Sequence, residues 1–150
     1  MAFKTQNEFV TIGLKHLKVW NINGRNLSSA KGIFGSIPVD SLICMTFAFD
    51  NKTLFTGDSK GNMILWNGRN ATKSIKAHNG SCYVLYHKNN MLYSGGQDGL
   101  LKIFNNKLEL KDSIDMTKMT SFNPGIRSID MSSGNSILLG LKGGDVINIF

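Results

Sequence analysis

The sequence predicts an all-β fold, a β-propeller of four-stranded antiparallel blades. Three observations lead there: a hairpin pattern that recurs along the 150 residues, short alternating runs on either side of each hairpin, and no segment with convincing helical periodicity. The hairpins set the register for everything else. Four segments align: FVTIGLKHLKVW (9–20), LFTGDSKGNMILW (54–66), LYSGGQDGLLKIF (92–104) and LLGLKGGDVINI (138–149). In the second and third, Gly57 matches Gly95, Gly61 matches Gly99 and Trp66 matches Phe104, all at an offset of 38 with nothing inserted. Gly140, Gly144 and Ile149 take these positions in the fourth. In the first, Gly13 and Trp20 are seven residues apart instead of nine, which calls for a turn two residues shorter.

Each unit reads as an apolar run, a polar turn and a second apolar run, which is a β-hairpin signal. Gly61, Gly99 and Gly144 fall where a tight turn needs positive φ, a conformation in which a Cβ clashes. Ahead of three hairpins lies a further alternating run: LICMTFAF (42–49), SCYVLYH (81–87) and IRSIDM (126–131). After two of them comes a fourth strand candidate, ATKSIK (71–76) and KLELKDSI (107–114). The blade pieces are therefore about 1–40, 41–78, 79–122 and 123–150, an incomplete ring of three to four blades. Residues 23–40, rich in Gly and Ser, read as an ordered loop or a degenerate outer strand. The chain enters on a stub of a first strand and leaves after a third. The expectation is an excerpt of a larger ring, or self-association with further copies to complete one.

Composition sets outer bounds. A hydrophobic content of 41% with 9% aromatic residues is enough for a core, so a disordered chain is not expected. Cys44 and Cys82 both lie in apolar strand-like runs and read as reduced core residues. The N-terminal MAFKTQNEFV has no apolar leader, and no uninterrupted apolar run reaches membrane-span length, so a soluble cytoplasmic protein is expected. Four N-x-[ST] triplets start at Asn26, Asn51, Asn70 and Asn79, against about two expected by chance, and without a leader they carry little weight.

The hairpins resemble WD repeats, although the WD pair itself is replaced by Val19-Trp20, Leu65-Trp66 and Ile103-Phe104. A more particular resemblance is carried by FVTIGLKHLKVW, GRNLSSAKGIFG, FTGDSKGNMILW and KAHNG in that order. It points to the propeller region of the echinoderm microtubule-associated protein-like family. The resemblance implies a non-enzymatic interaction module on the cytoskeleton, with tubulin or microtubules as partner, and a general WD-repeat scaffold as the alternative.

The resemblance also gives His78 a role. WD repeats often place a histidine in that loop, and Ser94 and Asp98 then complete a hydrogen-bonded network tying loop to hairpin. The usual fourth member is Trp, but Phe104 has no N–H to donate, so a partial network is expected. Trp20, Trp66 and Phe104 recur at matching positions and read as blade core. Asp58 and Asp145 read as turn residues. No catalytic residue, cofactor or metal site is expected: GGQDGL and GLKGGD lack the spacing and following helix of nucleotide-binding loops, and the histidines and cysteines lack metal-ligand spacing.

Charge carries the remaining functional content. Lys plus Arg exceed Asp plus Glu by 17 to 10, a formal charge of +7, which favours an acidic partner. Lys15, Lys18, Arg25, Lys31, Arg69, Lys73 and Lys76 are the partner-binding candidates, with solvated strand edges as the plainer account. Nucleic acid is not favoured, because basic and aromatic residues are not interleaved.

Overall fold

A computed structural model describes residues 1–149. Four separate sheets follow one another along the chain. The first holds β1 (Ala2–Phe3), β2 (Glu8–Gly13), β3 (His16–Asn23) and β4 (Asn26–Lys31). The second holds β5 (Leu42–Phe47), β6 (Thr53–Asp58), β7 (Asn62–Asn67) and β8 (Asn70–Lys76). The third holds β9 (Cys82–Lys88), β10 (Met91–Gly96), β11 (Leu100–Asn105) and β12 (Leu110–Asp115). The fourth holds β13 (Ile126–Met131), β14 (Ile137–Leu141) and β15 (Val146–Ile149). Every ladder is an antiparallel meander between sequence neighbours, the blade topology of a propeller.

Burial follows position within the blade. The second strands, β6 and β10, are buried from Leu54 to Asp58 and from Leu92 to Gly96, because a neighbouring sheet covers each face. The outermost strands, β4, β8 and β12, are mostly exposed. The first strands meet across blades, β5 packing on β9 and β9 on β13.

Strand alternation divides side chains between the three inter-sheet cores. Leu54 and Ile64 face the first sheet, with Val10, Leu17 and Trp66, while their neighbours Phe55 and Met63 face the third, with Leu92 and Phe104. Tyr93 and Leu101 face the fourth, with Ile126 and Leu139. Trp66 is 0% exposed and Phe104 3%. Trp20 differs from the core assignment and is half-buried. The equivalents of its face in the second and third sheets are covered by the preceding sheet, but among the described residues no sheet covers the first. Trp20 instead stacks on Phe9 at 5.9 Å and lies beneath the Lys18 ammonium at 5.4 Å.

Residues 23–40 resolve into the outer strand β4 and a loop tied to the second sheet through Ile33, whose N–H donates to the Arg69 carbonyl and whose carbonyl accepts from Ala71 N–H. Lys107–Glu109 belong to the turn before β12 rather than to the strand, with Leu108 at φ 59°. The helical content among the described residues is one 3₁₀ turn, Met116–Lys118, capped by the Asp115 carboxylate accepting from Thr117 N–H.

Candidate interaction surface

The loops at the two ends of the blades differ in chemistry. In an antiparallel meander, the turns between first and second strands and between third and fourth strands share one end. The second-to-third turns and the sheet-to-sheet connections share the other.

The second end is built of internal hydrogen bonds. His78 is 2% exposed; its Nδ1 lies 3.0 and 3.2 Å from the Asp98 oxygens and its Nε2 2.8 Å from Ser94 Oγ. One neutral tautomer satisfies both contacts, with Nδ1–H donating to Asp98 and the Ser94 hydroxyl donating to Nε2. Asp98 also accepts from the N–H groups of Asn79 and Leu100. Burial pushes this carboxyl up, but the His78 ring and the two N–H groups outweigh it and hold Asp98 below its ordinary value. Below it, Gly61 at φ 86° accepts from the N–H of both Ala77 and His78. Gly99 and Gly144 have φ of 78° and 98°.

Phe104 leaves Ser94 without an indole partner, and the missing interaction appears in the neighbouring blades. Trp66 Nε1–H donates to Thr56 Oγ at 2.9 Å, and Trp20 Nε1–H to Thr11 Oγ at 2.9 Å, where His16 Nε2 also lies 3.1 Å away. Thr11, Thr56 and Ser94 hold equivalent positions on β2, β6 and β10. The sequence signal for Thr11 and Thr56 was the hydroxyl two residues after Phe9, Leu54 and Leu92 in each repeat. Asp58 is 0% exposed and accepts from the N–H of Lys60 and Asn62 and from the Asn62 side-chain amide. Asp145 accepts from the Thr120 hydroxyl.

The candidate cations do not form one patch. Lys15, in the β2–β3 turn, and Lys31 and Lys76, ending outer strands, belong to the His78 end. Lys18 and Lys73 sit mid-strand. Several ammonium groups are bound to backbone: Lys73 donates to the Lys107 carbonyl at 2.6 Å, Lys76 to that of Lys60, and Lys88 to that of Ser132 at 2.6 Å. Arg25 and Arg69 are at the opposite end, in two copies of one turn. The tetrapeptide Asn-Gly-Arg-Asn occupies 23–26 and 67–70, with Gly24 at φ 61° and Gly68 at φ 59° opening two-residue turns. That repeated tetrapeptide was legible in the sequence as a signal for equivalent cations.

This end gathers Lys4, Arg25, Lys52, Arg69, Lys88 and Lys107. Its acids are engaged. Glu8 pairs with Lys4 at 2.8 Å, and Asp50 accepts from the N–H groups of Thr53 and Lys52, which hold its carboxyl below the ordinary value. Between the first and second sheets opens a cleft of about 230 Å³, with an apolar wall of Val10, Val19, Ala30 and Phe47 and a rim of Lys4, Lys52 and Arg69. Beside it Phe49 is 91% exposed and borders a wider cleft of about 560 Å³ with His87 and Lys88. An apolar notch ringed by cations suits an acidic segment that inserts an apolar side chain. Among the described residues there is no group of three or more His, Cys, Asp or Glu side chains placed to hold a metal, and no helix long and apolar enough to cross a membrane.

Comparison with known proteins matches residues 69–105 to the WD domain, G-beta repeat family. The chain is 30% identical over 140 residues to echinoderm microtubule-associated protein-like 1 of Mus musculus, covering 89% of this chain and 17% of that protein. It is 29% identical over 127 residues to protein-like 4 of the same species, covering 73% and 13%. To the 77 kDa echinoderm microtubule-associated protein of Strongylocentrotus purpuratus it is 26% identical over 152 residues, covering 92% and 22%. The chain thus spans less than a quarter of the length of these relatives. Among solved structures, the computationally designed Ika4 protein shares the fold, with a TM-score of 0.73 and 18% identity over 97% of this chain and 86% of that one.

Proposed function

We propose that this chain, a WD-repeat propeller region of the echinoderm microtubule-associated protein-like kind, is a non-enzymatic binding platform at the cytoskeleton whose cationic end engages tubulin or another acidic cytoskeletal partner. The observation that carries the reading is the convergence of Lys4, Lys52 and Arg69 on one apolar cleft. The microtubule association named in its relatives supports it. Charge clustered on one end raises the encounter rate with an acidic surface, and the apolar wall supplies contact area once the partner has docked. The resulting complex is sensitive to ionic strength, because Lys52 and Arg69 are exposed to solvent and their field is screened over about 10 Å at 0.1 M salt.

The test is cosedimentation with polymerised tubulin across a salt series. The chain should pellet at low salt and be released as salt rises, and the double substitution Lys52→Glu with Arg69→Glu should weaken binding by about tenfold or more. Binding that ignores both salt and the double substitution would sink the electrostatic reading.

A second reading, a WD-repeat scaffold for other proteins, draws on exposed Phe49 and the adjoining cleft, which suit a peptide anchor without needing an acidic one. Recovery of a non-cytoskeletal complex without tubulin enrichment would favour it. The reading also includes self-association through the aromatic row Phe3, Phe9 and Trp20 on the outer face of the first sheet.

A further inference from the structure

We propose that Cys44 and Cys82 are a redox-sensitive dithiol that closes, under a peroxide oxidant, into a disulfide stapling the second sheet to the third. They are the only cysteines in the sequence, and the fold places them on β5 and β9, the first strands of adjacent sheets. Their sulfurs are 3.8 Å apart, and the Cys44 thiol donates to the Cys82 carbonyl at 3.2 Å.

The local packing shows that this approach is built in. Gly57 pairs with Cys44 across β5 and β6, and a Cβ added there would lie 2.7 Å from the Cys44 sulfur and 2.6 Å from that of Cys82. The absence of a side chain at Gly57 is what lets the two thiols meet. One blade further on, Gly95 pairs with Val84, and a Cβ there would meet Val84 and Ile126 of the next sheet. Cys44 with Cys82 therefore stands where the next inter-sheet junction has Val84 with Ile126, a position that apolar side chains fill without any sulfur chemistry.

The two thiols are unequal in access. Cys82 is 0% exposed, whereas Cys44 is only partly buried. Cys44 next to it and burial both push the Cys82 thiol well above its ordinary value, so Cys44 is the first to react. Hydrogen peroxide oxidises Cys44 to the sulfenic acid with release of water. Cys82 sulfur then attacks the Cys44 sulfur, the S–O bond breaks, and hydroxide leaves and takes the Cys82 proton as a second water. Two thiols and one peroxide become one disulfide and two waters. Closing from 3.8 Å to a bonded distance of about 2.05 Å falls to the Cys44 side, which is the less buried of the two.

The experiment treats the chain with graded hydrogen peroxide, then reads free thiols, intact mass and migration on a non-reducing gel, before and after dithiothreitol. The expected result is loss of both thiols together, a mass lower by about 2 Da, a monomeric band and full reversal. The oxidised form should also melt several degrees higher, since a cross-link restricts the unfolded chain. Gly57→Ala should slow closure by forcing the sulfurs apart, and Cys82→Val, apolar like the next junction, should leave Cys44 to oxidise singly. Cys44 advancing to the sulfinic acid while Cys82 stays free would overturn the proposal, as would a disulfide-linked dimer or two thiols that survive peroxide in the folded chain.

Discussion

His78 is a buried imidazole with both ring nitrogens engaged, and its value lies in what it joins. Asp98 belongs to the β10–β11 turn, Ser94 to β10, and His78 to the connection leaving β8, so one side chain ties two sheets. Asp98 makes the tie pH-dependent. A carboxyl whose folded value lies below its unfolded one contributes stability that is complete above the unfolded value, near 3.8, and is lost as pH falls through the folded value. Urea unfolding at neutral pH and at about pH 3 should show a loss on acidification. Asp98→Asn should remove part of that pH dependence while lowering stability at neutral pH by about 1 to 3 kcal/mol. An identical acid response in the two proteins would show that Asp98 contributes nothing to it. The resemblance to WD repeats made these residues legible, because it places a histidine in the loop ahead of the hairpin and its serine and aspartate partners on the hairpin itself. The donation of both Trp66 and Trp20 to threonines is marked in the sequence only by a hydroxyl at the same place in each hairpin, and the bond itself exists only once the hairpins fold.

The hairpin turns show how one glycine signal covers different physical needs. At Gly61 the φ of 86° combines with a crowded site, where an added Cβ would lie 2.2 Å from the His78 carbonyl oxygen and 2.3 Å from that of Gly80. At Gly99 the obstacle is Pro124, 2.8 Å away. At Gly144 only the φ of 98° constrains, with nothing within 4 Å. Alanine at Gly144 should therefore lower stability by about 1 kcal/mol, and at Gly61 by about 3 kcal/mol or more. Thermal melts of the two variants check the order, and equal shifts would show that the contact to the His78 loop is dispensable. Spacing alone placed all three at turns. The contact that separates them comes from another blade's connection and has no trace in the local pattern. The shorter first turn follows the same logic: with Leu14 and Lys15 alone between β2 and β3, Lys15 is driven to φ 46°.

Across the whole molecule, each sheet buries its face against the next, and the first sheet turns an aromatic row outward. Phe9 and Trp20 hold the positions of Leu54 and Trp66 in the second sheet and Leu92 and Phe104 in the third, which are all at most 3% exposed. If that face takes a second copy, sedimentation velocity over a concentration series should show reversible dimers, and Trp20→Lys should return the chain to a monomer. A single monomeric species at all concentrations would exclude this face as a contact between copies. Strand order, turn positions and the repeat itself are written in the sequence, because alternation, turn glycines and hairpin closure act over a few residues. Three features arise only in the tertiary structure. The cations are divided between two ends of the blades, the Lys4, Lys52 and Arg69 rim surrounds one cleft, and Cys44 meets Cys82 across two sheets. Each depends on residues far apart in the chain that become neighbours only when twisted sheets pack face to face, and no local pattern encodes that geometry.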